Sequence, residues 1–170
     1  EDEVTAVLEY PNGATGIFVT TTAEAPGSNR LELAYDNGLL ILENQKVSYR
    51  KNEMPVTEYL RASSDKWGRP ASSLTEFDFA GNVGEQHTAV LRNFRDAILQ
   101  GAPLVAPAEE GLNSVSLGNA MLLSGLLERP VDLPLNGNLF EKELKKLVKK
   151  SKFVKGEIRK NVQDDIKKSF

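Results

Sequence analysis

The sequence predicts an α+β domain, with an open antiparallel or mixed β-sheet, helices on one face and the other face free for oligomerisation. Three observations lead there. Up to about residue 79 apolar residues recur at alternate positions, and from Glu85 onward they recur at the three- and four-residue spacing of a helix. Turn residues such as Pro11-Asn12-Gly13 and Asp36-Asn37-Gly38 separate the early runs. Strands first and helices afterwards give a sheet covered by one helical layer, and a second copy of the chain is the simplest cover for the opposite face.

The elements follow in order. Val4, Ala6, Leu8 and Tyr10 alternate with Thr5, Val7 and Glu9, a strand that ends in the Pro11-Asn12-Gly13 turn. Ala14 to Thr22 is rich in β-branched residues and should return as its hairpin partner. After the connection Ala25-Pro26-Gly27-Ser28-Asn29, Arg30 to Tyr35 alternates again, Asp36-Asn37-Gly38 tolerates positive φ, and Leu39 to Glu43 closes a second hairpin. Lys46 to Arg50 adds a strand, residues 52 to 72 lack a period and read as loop, and Leu74 to Phe79 adds another strand. Threonines and charges on alternate positions make one sheet face less apolar than the other.

The period then changes. Val90, Leu91, Phe94, Ala97 and Ile98 form a helical stripe within 85 to 100, closed by Gly101. A second helix is expected from about Pro107 to Glu128, with Pro107, Glu109 and Glu110 suited to its first turn. Its Ser114, Gly118, Ala120, Ser124 and Gly125 permit close packing. Arg129-Pro130 ends it, Val131 to Leu135 reads as a short edge strand, and a helix resumes from Asn138 through Phe140, Leu144, Leu147 and Val148. The organisation predicted is an α+β domain over 1–136 and a basic helical tail over 137–170.

Composition narrows the function. At 170 residues, 40% hydrophobic and 26% charged, the chain has enough apolar material for one core. It holds neither an apolar run of membrane-spanning length nor a secretory signal pattern, and no cysteine, so disulfides and thiolate sites are excluded and a cytoplasmic location is expected. It starts at Glu1 and enters a strand pattern at once, so it reads as the trimmed edge of something longer. Residues 1–136 carry 10 Lys/Arg against 19 Asp/Glu, whereas 137–170 carry 11 against 5. Five acids interrupt that basic tail, so a mixed-charge amphipathic helix is expected there rather than a nucleic-acid surface.

Four residues stand out as substrate-binding candidates, each with a structural alternative. His87, the single histidine, falls in the first turn of the 85–100 helix beside its apolar stripe. There it either meets a hydroxylated ligand or ties the helix to the sheet through a hydrogen bond. Trp67 and Arg69, in Trp67-Gly68-Arg69-Pro70, offer an aromatic plate and a cation to a sugar or phosphate, or else cover the core edge. Arg30 either reaches a ligand or holds its turn. Glu109 and Glu110 are adjacent on a helix, point about 100° apart and cannot flank one bond. No catalytic residue is assigned. The sequence has no Walker loop, Gly-x-Gly-x-x-Gly, Gly-x-Ser-x-Gly or metal-spaced cluster, so no cofactor-binding or metal residue is assigned either.

Several pieces, in order, carry a resemblance. Tyr10-Pro11-Asn12-Gly13-Ala14-Thr15-Gly16 and Ala25-Pro26-Gly27-Ser28-Asn29-Arg30-Leu31-Glu32 come first, then Gly84-Glu85-Gln86-His87, Asn93-Phe94-Arg95-Asp96-Ala97-Ile98 and Gly101-Ala102-Pro103-Leu104. Glu109-Glu110-Gly111, Asn119-Ala120-Met121-Leu122-Leu123-Ser124 and Pro130-Val131-Asp132-Leu133-Pro134 complete the series. Together they resemble the C-terminal part of the Gfo/Idh/MocA oxidoreductases, the glucose-fructose oxidoreductase and inositol dehydrogenase family, over about residues 3 to 145. The resemblance implies an N-terminal Rossmann domain for NAD or NADP, absent from these residues, and a C-terminal domain whose sheet makes the homo-oligomer and whose edge lines a pocket for a sugar, polyol or related substrate. The family's catalytic lysine lies in a Glu-Lys-Pro motif that this sequence lacks, so the chain alone is expected to be inactive. The alternative is an independent, non-enzymatic binding or dimerisation module.

Overall fold

The computed structural model describes residues 2–65, 67–78 and 84–153. The predicted Phe79 strand end and the basic tail beyond Phe153 lie outside the described residues. The chain divides into two units, residues 1–107 and 108–170. The change in charge balance falls later, after residue 136.

In the first unit, β1 (Glu3–Glu9) and β2 (Thr15–Thr21) form an antiparallel hairpin with Val7 opposite Ile17. Its turn is fixed as the composition requires. Tyr10 N donates to Ala14 O at 2.9 Å, Ala14 N donates to Asn12 Oδ1 at 3.1 Å, and Gly13 takes φ of +85°. Val4, Ala6 and Leu8 are half-buried on one face, while Val7, Ile17 and Val19 on the other are exposed.

A separate four-stranded sheet follows, β3 (Arg30–Tyr35), β4 (Gly38–Glu43), β5 (Lys46–Asn52) and β6 (Ser72–Asp78), in that spatial order. The six strands therefore form two sheets rather than one. Ala23 to Asn29, with Pro26 and Gly27, separates β2 from β3 and offers no strand run to join them. Among the described residues every strand pair is antiparallel, so the mixed option is removed. The β4–β5 turn, Asn44-Gln45, places both residues at positive φ, the primed geometry whose twist matches paired strands.

Register sorts the side chains of this sheet into two faces. One carries Arg30, Glu32, Glu43, Lys46, Ser48, Arg50, Asn52, Ser72, Glu76 and Asp78, with Ala34, Leu39, Ile41 and Leu74 among them. Ser48 Oγ donates to Glu76 Oε1 at 3.2 Å across β5 and β6 on that face. The other carries Leu31, Leu33, Tyr35, Leu40, Leu42, Val47, Tyr49 and Phe77, with Lys51, Ser73 and Thr75 toward its β5–β6 side. The difference between faces expected from the alternation is thus present.

Residues 52–72 were expected to be loop, and they contain a two-turn helix, α1 (Val56–Ala62). Seven residues are too few to show a helical period, and the stabilising partner is remote in sequence. Asp36, in the β3–β4 turn, accepts Thr57 N at 2.8 Å on Oδ1 and Thr57 Oγ1 at 2.7 Å on Oδ2, and its carbonyl accepts Val56 N. The orphan donors of the first turn are thereby satisfied from 20 residues upstream.

These bonds, that of the Thr57 hydroxyl first, hold the Asp36 carboxyl below its ordinary pKa. A carboxyl depressed in the folded state contributes stability above its unfolded pKa of about 3.9 and loses it as pH falls through the lower folded value. Asp36→Asn should therefore be less stable than the parent at pH 7 and converge on it as acid protonates the folded carboxyl, as read by urea midpoints across that range. Parallel curves at all pH values would contradict this origin.

α2 (Gln86–Gln100) forms where the stripe predicts it and ends at Gly101, φ +68°, whose N–H bonds Ala97 O. Asn93 brackets the following segment, donating to Pro103 O and accepting Val105 N, both at 2.9 Å. Val90, Leu91, Phe94 and Ile98 are all exposed.

In the second unit a 3₁₀ turn, Ala108–Glu110, leads into α3 (Gly111–Leu127), so the two glutamates precede the helix rather than fill its first turn. α3 carries the buried residues Ala120 and Leu123, three apart on one face. Residues 131–135 are not a strand. Pro130 and Pro134 remove two ladder donors around a run of three residues. α4 (Gly137–Lys150) begins at Asn136, whose Oδ1 accepts Leu139 N at 3.1 Å. Lys145–Glu141 and Lys146–Glu143 pairs run along its surface, each worth about 0.3–0.5 kcal/mol. Among the described residues no helix is long and apolar enough to cross a membrane.

Candidate functional site

The four sequence candidates do not form one cluster. Arg30 lies on β3, at the sheet end where the register runs Arg30, Glu43, Lys46, Asp78. Its Nη2 donates to Glu32 Oε2 at 2.6 Å and its Nη1 to Glu43 Oε2 at 3.0 Å. Both carboxylates, Glu32 first, push the guanidinium pKa further up, and Arg30 serves as a cross-strand pin.

His87 occupies the second residue of α2 and is exposed. Beside it, Arg92 and Glu85 form a two-point ion pair, with Arg92 Nη2 donating to Glu85 Oε1 at 3.0 Å. That bond holds the Glu85 carboxyl below its ordinary range. The pair links the residue before α2 to the helix's second turn.

Trp67 is 97% exposed, so its ring covers no core edge among the described residues. Its backbone is nevertheless fixed. Trp67 N donates to Asp65 Oδ1 at 2.9 Å, and Asp65 N donates to Ser63 Oγ at 3.0 Å. Gly68 passes so close to the Tyr59 hydroxyl and Asp65 that a Cβ would collide with both, which seats this loop against α1.

Arg69 is the candidate that the structure brings into company. It lines a cleft of about 640 Å³ with Arg50, Asn52, Val56, Pro70 and Ser72. Asn52 pairs with Ser72 and Arg50 with Leu74, so the two strands present these polar residues on one face at one sheet end. Glu53 N bonds Ala71 O at 2.9 Å and continues the pairing toward Arg69. Arg30 lies at the opposite sheet end, three strands away, about 14 Å from spacing alone. Sequence reasoning missed Arg50, Asn52 and Ser72. The two-residue spacing of Arg50 and Asn52 was a usable signal, but Ser72 joins them only through a register that the sequence does not display.

The sequence signature of the oxidoreductase family's C-terminal alpha/beta domain, in the Gfo/Idh/MocA group, matches residues 1–133. The chain belongs to this family. No curated protein matches it. The match spans both described sheets, α1 to α3 and the 131–133 segment, and stops before α4. It coincides closely with the stretch over which the resemblance runs.

Among the described residues of this Gfo/Idh/MocA C-terminal domain, no strand pairing is of the kind that a dinucleotide site is built on. A pyrophosphate needs a parallel strand, a glycine turn and a helix N-terminus in immediate succession. Here the described strands are all antiparallel, and the sequence contains no Gly-x-Gly-x-x-Gly. Among the described residues, no group of three His, Asp or Glu converges to hold a metal ion.

Proposed function

We propose that this chain is the substrate-binding and oligomerisation domain of an NAD(P)-dependent oxidoreductase acting on a sugar, polyol or related hydroxylated compound, and that it is inactive by itself. The family match over residues 1–133 carries this reading. Nicotinamide chemistry would be supplied by a dinucleotide-binding domain outside these residues, because the described strands are all antiparallel and the sequence has no glycine turn suited to the pyrophosphate. The exposed apolar faces support assembly. Leu31, Leu33, Tyr35 and Phe77 share one sheet face and are each more than one-third exposed. Isolated soluble domains rarely leave such patches open, and a second copy presenting the same face buries both.

Two measurements test this. Calorimetry of the chain with NAD(H) and NADP(H) should show no dissociation constant tighter than about 100 μM, or about 5.5 kcal/mol. Light scattering at micromolar concentration should show a self-associated species whose interface buries about 800 Å² or more per partner. Tight cofactor binding would refute the division of labour, and a strict monomer would refute the oligomerising role. A monomer that binds a hydroxylated ligand unaided would establish the independent-module alternative.

A further inference from the structure

We propose that the cleft between Arg50 and Arg69 binds the anionic group of a small hydroxylated ligand, a carboxylate or a phosphate. Two arginines line one concavity, and no aspartate or glutamate lines it with them. Among the described residues neither arginine has a hydrogen bond or ion pair through its side chain, a state they share with Arg61 and Arg129, whereas Arg30, Arg92 and Arg95 each have a carboxylate partner. Arginine keeps its proton in proteins, so the cleft is lined by two permanently cationic residues whose charge an anion would balance. The planar forks of two guanidiniums match the paired oxygens of a carboxylate or phosphate, in the charge-assisted, bidentate geometry that arginine favours.

The remaining lining gives the ligand its other character. Asn52 donates through Nδ2 to the Asp36 carbonyl at 3.2 Å, which leaves Oδ1 as an acceptor for a ligand hydroxyl. Ser72, opposite Asn52, adds a hydroxyl that donates or accepts. Val56 and Pro70, both half-buried, supply an apolar wall for a carbon skeleton. The walls are built rather than accidental. Asn52 and Ser72 are locked by strand pairing, and Gly68 and Asp65 fix the loop that delivers Arg69. The proposal concerns binding by this chain and does not require the oxidoreductase reading, since no turnover enters the test.

The test is calorimetric titration of the full chain with glucose 6-phosphate, gluconate and glucose at low ionic strength. At least one of the two anions should bind at about millimolar Kd or tighter, with glucose at least ten-fold weaker, and the tighter anion identifies phosphate or carboxylate as the natural group. Arg50→Gln and Arg69→Gln should each weaken binding ten-fold or more, and Arg50→Lys should restore part of the loss. Arg129→Gln, an exposed arginine beyond α3, removes the same charge as a control and should leave binding unchanged. Circular dichroism of each variant confirms folding, and Arg69, outside any strand, remains informative if Arg50→Gln unfolds. The proposal is overturned if neither anion binds, if glucose binds as well as they do, or if the two cleft variants match Arg129→Gln.

Discussion

Leu123→Ala should lower the stability of the chain by about 2–5 kcal/mol, the range for emptying a buried leucine site. Leu123 is completely inaccessible to solvent, and among the described residues no other large side chain is. Ala120, one turn earlier on α3, is the other buried apolar residue among those described. Truncation removes the transfer energy of the lost atoms and adds the cavity term. Urea unfolding followed by helical ellipticity measures it. Leu112→Ala on the same helix serves as the comparison, because Leu112 is 65% exposed and its truncation should cost no more than about 0.5 kcal/mol. Equal losses for the two variants would show that Leu123 is not the point on which this unit depends.

Gly38→Ala should also destabilise, by about 1–3 kcal/mol, the usual cost of forcing atoms into filled space. Gly38 begins β4 with φ of +150°, and a Cβ there would strike the Arg50 carbonyl oxygen and come within 3.2 Å of Lys51 Cα. Both obstacles are backbone atoms of β5, so the collision can be relieved only by opening the β4–β5 pairing. The same substitution at Gly118 meets nothing within 4 Å and lies within α3. There alanine should stabilise by about 0.5–1 kcal/mol, through the entropy that glycine loses in a helix. Opposite signs for one chemical change, read as urea midpoints, would establish that packing rather than composition governs each glycine. A neutral Gly38→Ala would contradict the close approach of β4 and β5.

Much of the fold was legible because it rests on local chemistry. The Asp36-Asn37-Gly38 and Pro11-Asn12-Gly13 turns, the alternation through Leu31, Leu33 and Tyr35, and the Val90 to Ile98 stripe each need only neighbouring residues to take effect. The α1 helix was hidden because its cap, Asp36, arrives through the folding of the second hairpin. The edge strand expected over 131–135 fails where two prolines outweigh a short apolar pattern. Of the candidate site residues, Arg69 acquires a cleft, Arg30 acquires two carboxylates, and Trp67 and His87 remain exposed outside that cleft.

By itself, then, the sequence determined the α+β class, two hairpins, the apolar and polar faces and the family to which the chain belongs, since periodicity and turn chemistry act over a few residues. The tertiary structure alone decided that the strands form two sheets, that Asp36 starts α1, and that Arg50 and Arg69 line one cleft while Arg30 is spent on Glu32 and Glu43. Those outcomes depend on strand register, which couples residues 13 to 28 positions apart through hydrogen bonds that no local pattern displays.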